Sequence, residues 1–467
     1  MQRQRSWRIG GLVLSLILLS RGLFAAQPPN IVLIISDDQA WTDYGFMGHP
    51  VIQTPHLDRL AAESATFLRG YVPTALCRPS LMSIMTGLYP HQHRTTGNDP
   101  ALTPQNRQRA ATAQVDLREL LICHVDRYST LPRLLSQRGY WSFQSGKWWE
   151  GNFRRGGFTD GMTIGYPHKG GRHGDVGLRI GREGLQPIFQ FIDRAVQAHR
   201  PFFVWYAPMM PHTPHTPPDR LLQKYRRLVS SESVARYDAM CEWFDETCGQ
   251  LLDYLDQKGL RQNTLVIYLA DNGWIQDPHG PRFAPRSKQS PYEGGVRTPI
   301  LFHWPGVIVP GRRDELCRSI DILPTILAAV GLCIPPNLPG KNLMPALRTG
   351  RPAGIHEAYG ETFAHDIADI EDPEASLLYR WVIEDRWKLI LTYDGTTGHV
   401  RYLPTDMRPQ LYDLKTDPHE THNVAAEHPD LVRRLAQKLN DWWPVRKRHC
   451  VTQWTSQPIP WPGRKKK

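Results

Sequence analysis

The sequence predicts an α/β layered fold with a parallel sheet, followed by a small antiparallel unit. Three observations carry that prediction. Continuous apolar runs recur and close in polar residues. Amphipathic helical patterns lie between them. Near residue 355 the texture changes to short runs separated by turn residues.

The first run, Asn30–Ser36, is apolar on both faces, as a strand buried in a parallel sheet is. Pro201–Ala207 is a second and ends in a Pro/His loop. Thr264–Ala270 is a third and ends in Asp271-Asn272-Gly273. Open α/β sheets place their sites at such strand ends. Thr130 suits the cap of a helix running through Arg138, with Gly139 as its stop. His56–Phe67 and Val234–Leu255 read as amphipathic helices. Beyond residue 355, Trp387–Thr392 and Gln410–Asp413 read as short strands and Asp430–Trp443 as a helix packed on them. The chain thus divides into a leader (1–26), a main α/β domain (27–355), an α+β subdomain (356–460) and a basic tail (461–467). No internal repeat is present.

In the leader, Arg3, Arg5 and Arg8 precede the apolar run Gly10–Leu19, and Ala25 and Ala26 come after it. This is the plan of a signal peptide, and it predicts a secreted or periplasmic protein. The run is short for a bilayer, so no stable membrane span is expected. The formal charge of +11 does not indicate nucleic acid. Arg3, Arg5, Arg8, Arg21, Arg464, Lys465, Lys466 and Lys467 sit at the two ends, and without them the charge is +3. No basic stripe with interleaved aromatics marks the body. Seven cysteines are an odd number, so at least one is unpaired or modified. Cys241 and Cys248 lie too far apart on one helix to pair.

Asp37 and Asp38 directly follow a buried strand. Adjacent carboxylates there repel unless a cation or proton lies between them. Asp271 and Asn272 close another strand and add oxygen donors. A donor set without His or Cys favours a hard cation, calcium before magnesium. In Ala75–Gly87, Pro79 suits the first turn of a helix, which places Cys77 just before its N-terminus. Amides and dipole there favour an anion and predict an activated cysteine.

Cys77-Arg-Pro-Ser80 followed by Met85-Thr-Gly87 resembles the signature of the sulfatases. Gly139-Tyr-Trp-Ser142 with Gly146-Lys-Trp148 resembles their second signature. Ser36–Gln39 and Ala270–Gly273 resemble the family's metal motifs, and Pro291–Arg297 a later block. Gln410–Asp413 with Asp417, Pro418 and Glu420 resembles the C-terminal subdomain. The likeness runs in family order from about residue 28 to 430. It implies an alkaline phosphatase-like α/β/α sandwich and hydrolysis of sulfate esters; the expected export points to a sulfated carbohydrate as substrate, with an aryl sulfate as the alternative. It also implies that a maturation enzyme oxidises Cys77 to formylglycine. One hydroxyl of the hydrated aldehyde would then attack sulfur as the alcohol leaves, and loss of the second hydroxyl's proton would re-form the aldehyde and expel sulfate. By the same resemblance, Lys147 contacts the hydrate or sulfate. His212 in Pro211-His-Thr-Pro214 protonates the leaving oxygen, although His215 repeats its pattern. Lys288 binds sulfate.

Two positions depart from the family. Leu81 stands where the motif Cys-x-Pro-x-Arg has Arg, and Trp149 where the second signature ends in His. Arg78, His91 and His93 are candidates to compensate. The departures keep two other readings in view. One is a phosphodiesterase or phosphonate hydrolase on the same scaffold. The other is a non-catalytic binding protein for sulfated glycans.

Overall fold

The computed structural model describes residues 28–168, 172–393 and 408–445. The expected signal peptide, the basic tail and Cys450 lie outside the described residues. Fourteen strands are described: β1 (Asn30–Ser36), β2 (Ala65–Tyr71), β3 (Asp99–Pro100), β4 (Trp141–Gly146), β5 (Asp160–Gly161), β6 (Phe202–Ala207), β7 (Thr264–Ala270), β8 (Arg297–His303), β9 (Gly311–Arg318), β10 (Glu357–Phe363), β11 (Asp366–Ile367), β12 (Leu377–Glu384), β13 (Trp387–Thr392) and β14 (Gln410–Asp413).

Eight of them form one sheet in the order β5-β4-β6-β1-β7-β8-β2-β9. The half from β5 to β7 is parallel, with Ile31 beside Phe203 on one flank and Leu265 on the other. At β8 the direction reverses, so the sheet is mixed rather than wholly parallel. Alternation along β1 assigns its side chains to two cores. Ile31, Leu33 and Ile35 join Met82, Leu135 and Ile326 on one face. Val32 and Ile34 join Leu60, Phe191 and Phe244 on the other. Helices on both faces of a buried sheet complete the expected α/β/α sandwich.

A second, antiparallel sheet has the order β10-β12-β13-β14. Val382, Leu389 and Leu411 on one of its faces receive Leu435 and Leu439 from the helix Pro429–Trp442. Trp381, Ile383 and Ile390 on its other face join the main core. Lys388, buried on β13, pairs with Glu293 and Glu420 at 2.9 Å each and ties this unit to the segment before β8. β11 pairs with β3, a second tie.

Two helices are shorter than predicted by two residues or more. The stretch expected as a helix over His56–Phe67 is helical only over Pro55–Ala62, and Phe67 lies in β2. The apolar spacing fits both, but β2 finds ladder partners in β8 and β9, which override it. The helix expected from Thr130 to Arg138 spans Leu131–Ser136. Thr130 does not cap it, because its hydroxyl donates to the Gly156 carbonyl instead.

Gly146 ends β4 with φ +79°, and a Cβ there would lie 1.9 Å from the Ala207 carbonyl oxygen. The Lys147 amide donates to that same oxygen at 2.7 Å. Gly146→Ala therefore combines left-handed strain with overpacking against backbone. A loss of about 3 kcal/mol or more is expected, read as a lower denaturation midpoint together with loss of activity.

Candidate active site and metal centre

Four neighbouring strands, β4, β6, β1 and β7, end on one edge of the sheet, and each leads into predicted site residues. Lys147 follows β4, Asp37 and Asp38 follow β1, and Asp271 and Asn272 follow β7. His212 lies in the loop after β6. Cys77 opens the helix Cys77–Thr86, and Lys288 comes from the loop before the short helix Glu293–Val296. Successive strand residues point to opposite faces. Asp38 breaks that alternation with φ 64°, and both carboxylates then face Cys77.

All eight predicted residues come together. The Cys77 Sγ lies 3.7 Å from Asp37 Oδ1, 3.8 Å from Asp38 Oδ1 and 3.2 Å from Lys288 Nζ. Lys288 donates to both Asp38 oxygens at 2.6 Å. Lys147 donates to Asp37 Oδ1 at 2.5 Å and lies 3.8 Å from Asp271 Oδ2. Asn272 Nδ2 donates to Asp38 Oδ1 at 2.7 Å, and the Asp38 amide donates to Asp271 Oδ1 at 3.2 Å. His212 Nε2 lies 3.4 Å from Asp38 Oδ2, while its Nδ1 donates to the Thr213 carbonyl at 2.6 Å. His215 is not in this cluster. Its ring packs edge-on to Tyr237 and Trp274.

The donor set fits a hard cation. Asp37 Oδ2, Asp271 Oδ2 and Asn272 Oδ1 are buried without a hydrogen-bond donor. Three buried carboxylates face two ammonium groups, and buried acceptors are rarely left unpaired. Oxygen ligands from Asp37, Asp38, Asp271 and Asn272 suit calcium or magnesium. One ligand atom each from Asp37, Asp38, Cys77 and His212 also lie within 4.8 Å of one another, which puts Cys77 and His212 beside any ion held there.

Burial dominates the titration. It raises Asp37 well above the carboxylate range even though Lys147 opposes it, and it raises Asp271 as well. At Asp38 burial also works upward, but Lys288, His212 and Lys147 outweigh it and hold the group well below its usual range. Burial would lower both lysines, yet Asp37 keeps Lys147, and Asp38 keeps Lys288, above the ordinary value. Burial holds His212 well below the usual imidazole range. Burial, then Asp271, push the Cys77 thiol well up. The activation expected at the helix N-terminus is therefore reversed, because desolvation of a thiolate outweighs the dipole.

The departures are accommodated without a polar substitute at either position. Leu81 packs in the main core. The Trp149 ring stands 5.0 Å from Lys147 Nζ as a cation–π partner, with His173 edge-on at 5.9 Å. The three candidate compensators are engaged elsewhere. Arg78 forms a buried two-toothed pair with Glu150 at 2.6 and 2.7 Å and donates to the Asn98 carbonyl. His91 binds Glu361, and His93 meets the Ser83 hydroxyl.

Sequence reasoning missed two supporting groups. Glu150, by pairing with Arg78, ties the helix bearing Cys77 to the segment bearing Lys147. Arg182 donates to the carbonyls of Met209 and His212 at 2.9 Å and so braces the His212 turn. Neither had a spacing signal, since each partner lies far away in the chain.

The family model described as Sulfatase matches residues 29–332. The chain belongs to the sulfatase family. A second model, N-sulphoglucosamine sulphohydrolase, C-terminal, matches residues 286–443 of this sulfatase. Arylsulfatase A of Homo sapiens is 29% identical over 90% of this chain and 89% of its own. N-acetylgalactosamine-6-sulfatase of Canis lupus familiaris is 31% identical over 73% and 70%. Ps i-CgsB in complex with k-i-k-neocarrahexaose shares the fold with a TM-score of 0.70, at 22% identity over 91% and 95% of the two chains. The phosphonate monoester hydrolase of Agrobacterium radiobacter shares it with a TM-score of 0.63, at 19% identity over 88% and 95%. This sulfatase is accordingly a sulfuric ester hydrolase, and no described helix is long and apolar enough to cross a membrane.

Breaking the buried Arg78–Glu150 pair leaves a charge without a partner. Arg78→Ala and Glu150→Ala are each expected to cost about 3–5 kcal/mol in denaturant unfolding. The double variant is expected to cost clearly less than the sum, because the two residues act as one unit.

Proposed function

We propose that this enzyme hydrolyses sulfate esters of a sulfated carbohydrate outside the cytoplasm, using calcium and a formylglycine derived from Cys77. The observation that carries this reading is the placement of Cys77 between two buried lysines and the carboxylates of a cation site. The relatives add support, since one of them is a sulfatase of N-acetylgalactosamine 6-sulfate by name.

Formylglycine at position 77 would supply a hydrated aldehyde with two hydroxyls, one as the nucleophile and the other to release the sulfate afterwards. A calcium ion on Asp37, Asp38, Asp271 and Asn272 would supply Lewis-acid stabilisation of sulfate oxygens. The remaining work falls to the chain's own groups. Lys288, 3.2 Å from Sγ, is placed to bind a sulfate oxygen where charge develops. Lys147, held by Asp37 and the Trp149 face, fixes the other flank. His212 must carry a proton to the leaving oxygen. Burial and the two lysines oppose that charge, and an arriving sulfate ester offsets the lysines.

Charge also separates sulfate from phosphate. With a divalent ion added, three carboxylates and two ammonium groups leave about one positive charge, which complements a monoanionic sulfate ester better than a dianionic phosphate monoester. The shared fold of the phosphonate monoester hydrolase makes phosphonates the second reading. The test uses protein exported from a host with the maturation activity. The Cys77 peptide is expected to carry an aldehyde, and a sulfated sugar to be cleaved in preference to its phosphate counterpart. A thiol throughout, or preference for the phosphate ester, overturns the reading. Binding of the sulfated sugar without sulfate release, from fully converted protein, establishes the binding-protein alternative instead.

Lys288→Ala is expected to lower kcat by about a hundred-fold or more, since it removes a fixed charge at the reacting group. Chelation is expected to abolish turnover, and calcium to restore more of it than magnesium at equal concentration, measured as released sulfate.

A further inference from the structure

Behind the loop that follows Asp37 and Asp38 lies a cavity of about 490 Å3. None of the eight site residues lines it. Its walls include Trp41 and Asp43 from that loop, Val234, Tyr237 and Asp238 from the helix Glu232–Gln257, and Ile275 beyond β7. Asp238 is only 4% exposed and lines the cavity. No hydrogen bond or ion pair to Asp238 occurs among the described residues, and its one charged neighbour is Asp43, of like sign.

The two acids differ. Asp43 accepts from the Tyr237 hydroxyl at 2.6 Å and from the Ala40 amide at 3.0 Å. Asp238 has no such donor; burial raises both acids, Asp43 to about 7 and Asp238, with Asp43 beside it, to about 8. A buried carboxyl without a partner is costly and calls for an external donor. Arg286 also lines the cavity but does not serve, because its guanidinium lies 4.0 Å above the Tyr292 ring and donates to the Glu420 carbonyl.

We propose that this cavity is a second binding site, taking a primary ammonium group on a compact apolar body and anchored by Asp238. An ammonium offers three donors and the charge that the two acids lack. Val234, Ile275 and the rings of Trp41 and Tyr237 suit the apolar remainder. A metal ion is disfavoured, since among the described residues the one cluster of three or more metal-ligating groups is at the catalytic edge. The Tyr237 hydroxyl oxygen also lies 3.2 Å from the Asp38 carbonyl, so the site backs directly onto the loop of Asp37 and Asp38.

Calorimetry on the full, calcium-loaded chain tests this, with inorganic sulfate present to occupy the catalytic centre. Cyclohexylammonium chloride is the probe, and cyclohexanol the uncharged control. One saturable site for the amine and none for the alcohol is expected. Asp238→Asn is expected to weaken it at least about tenfold, the loss of one charge-assisted contact. Ile275→Trp, at a residue 42% exposed and so tolerant of change, is expected to block the cavity to a similar extent. Absence of saturable amine binding, equal binding of the alcohol, or unchanged affinity in both variants overturns the proposal. Displacement of the amine by added calcium overturns the choice of an organic cation.

Discussion

Lys288 holds both oxygens of Asp38 and Lys147 holds Asp37, in a shell where each of these groups is more than nine-tenths buried. Two ion pairs buried this deeply do not stabilise a fold by themselves, because desolvation offsets their attraction. Asp271 adds a third carboxylate with no lysine of its own. The cluster is therefore short of positive charge as a matter of electrostatics, and its unpaired oxygens fit a cation. The sheet makes this arrangement possible. Four adjacent parallel strands end together, and their buried bodies hold the ends rigidly enough to keep like charges close.

Leu81 and Trp149 show how the surroundings adjust. An arginine at position 81 would need a carboxylate or carbonyls within a side of the helix that packs into apolar core. Leucine removes that demand. At position 149 an indole face replaces an imidazole and holds the Lys147 ammonium through its π-system. Arg78 does not take over at either position; it pairs with Glu150 and joins the two signature segments directly.

The catalytic edge was legible in the sequence because its strands are buried on both faces. Runs such as Ile31–Ile35 and Leu265–Leu269 cannot be confused with half-exposed strands, and the polar residues that close them must lie at a sheet end. Phe67 was not legible in this way. Its spacing continues the helix of Leu57 and Leu60, and only its ladder partners, Ile300 on β8 and Arg313 on β9, reveal it as strand. Arg182 and Glu150 were invisible because their partners are set by tertiary contact. The thiol of Cys77 was misjudged for a related reason. A helix N-terminus is a local feature, whereas desolvation depends on everything packed around the group.

The small C-terminal sheet bears on the same charge balance. Lys388 on β13 sits between Glu293 and Glu420, and the Glu420 carboxylate accepts from the Glu293 amide at 2.6 Å. Those contacts fix the start of the short helix that comes after the Lys288 loop. The Gln289 amide in turn donates to the Ala75 carbonyl at 2.8 Å, next to the segment that presents Cys77. A lysine has a long and mobile side chain, and holding its ammonium 3.2 Å from Sγ requires that its backbone be anchored on both sides. One anchor comes from the segment that presents Cys77 and the other from the C-terminal sheet. The second sheet thus acts on the active site by setting where one positive charge can stand.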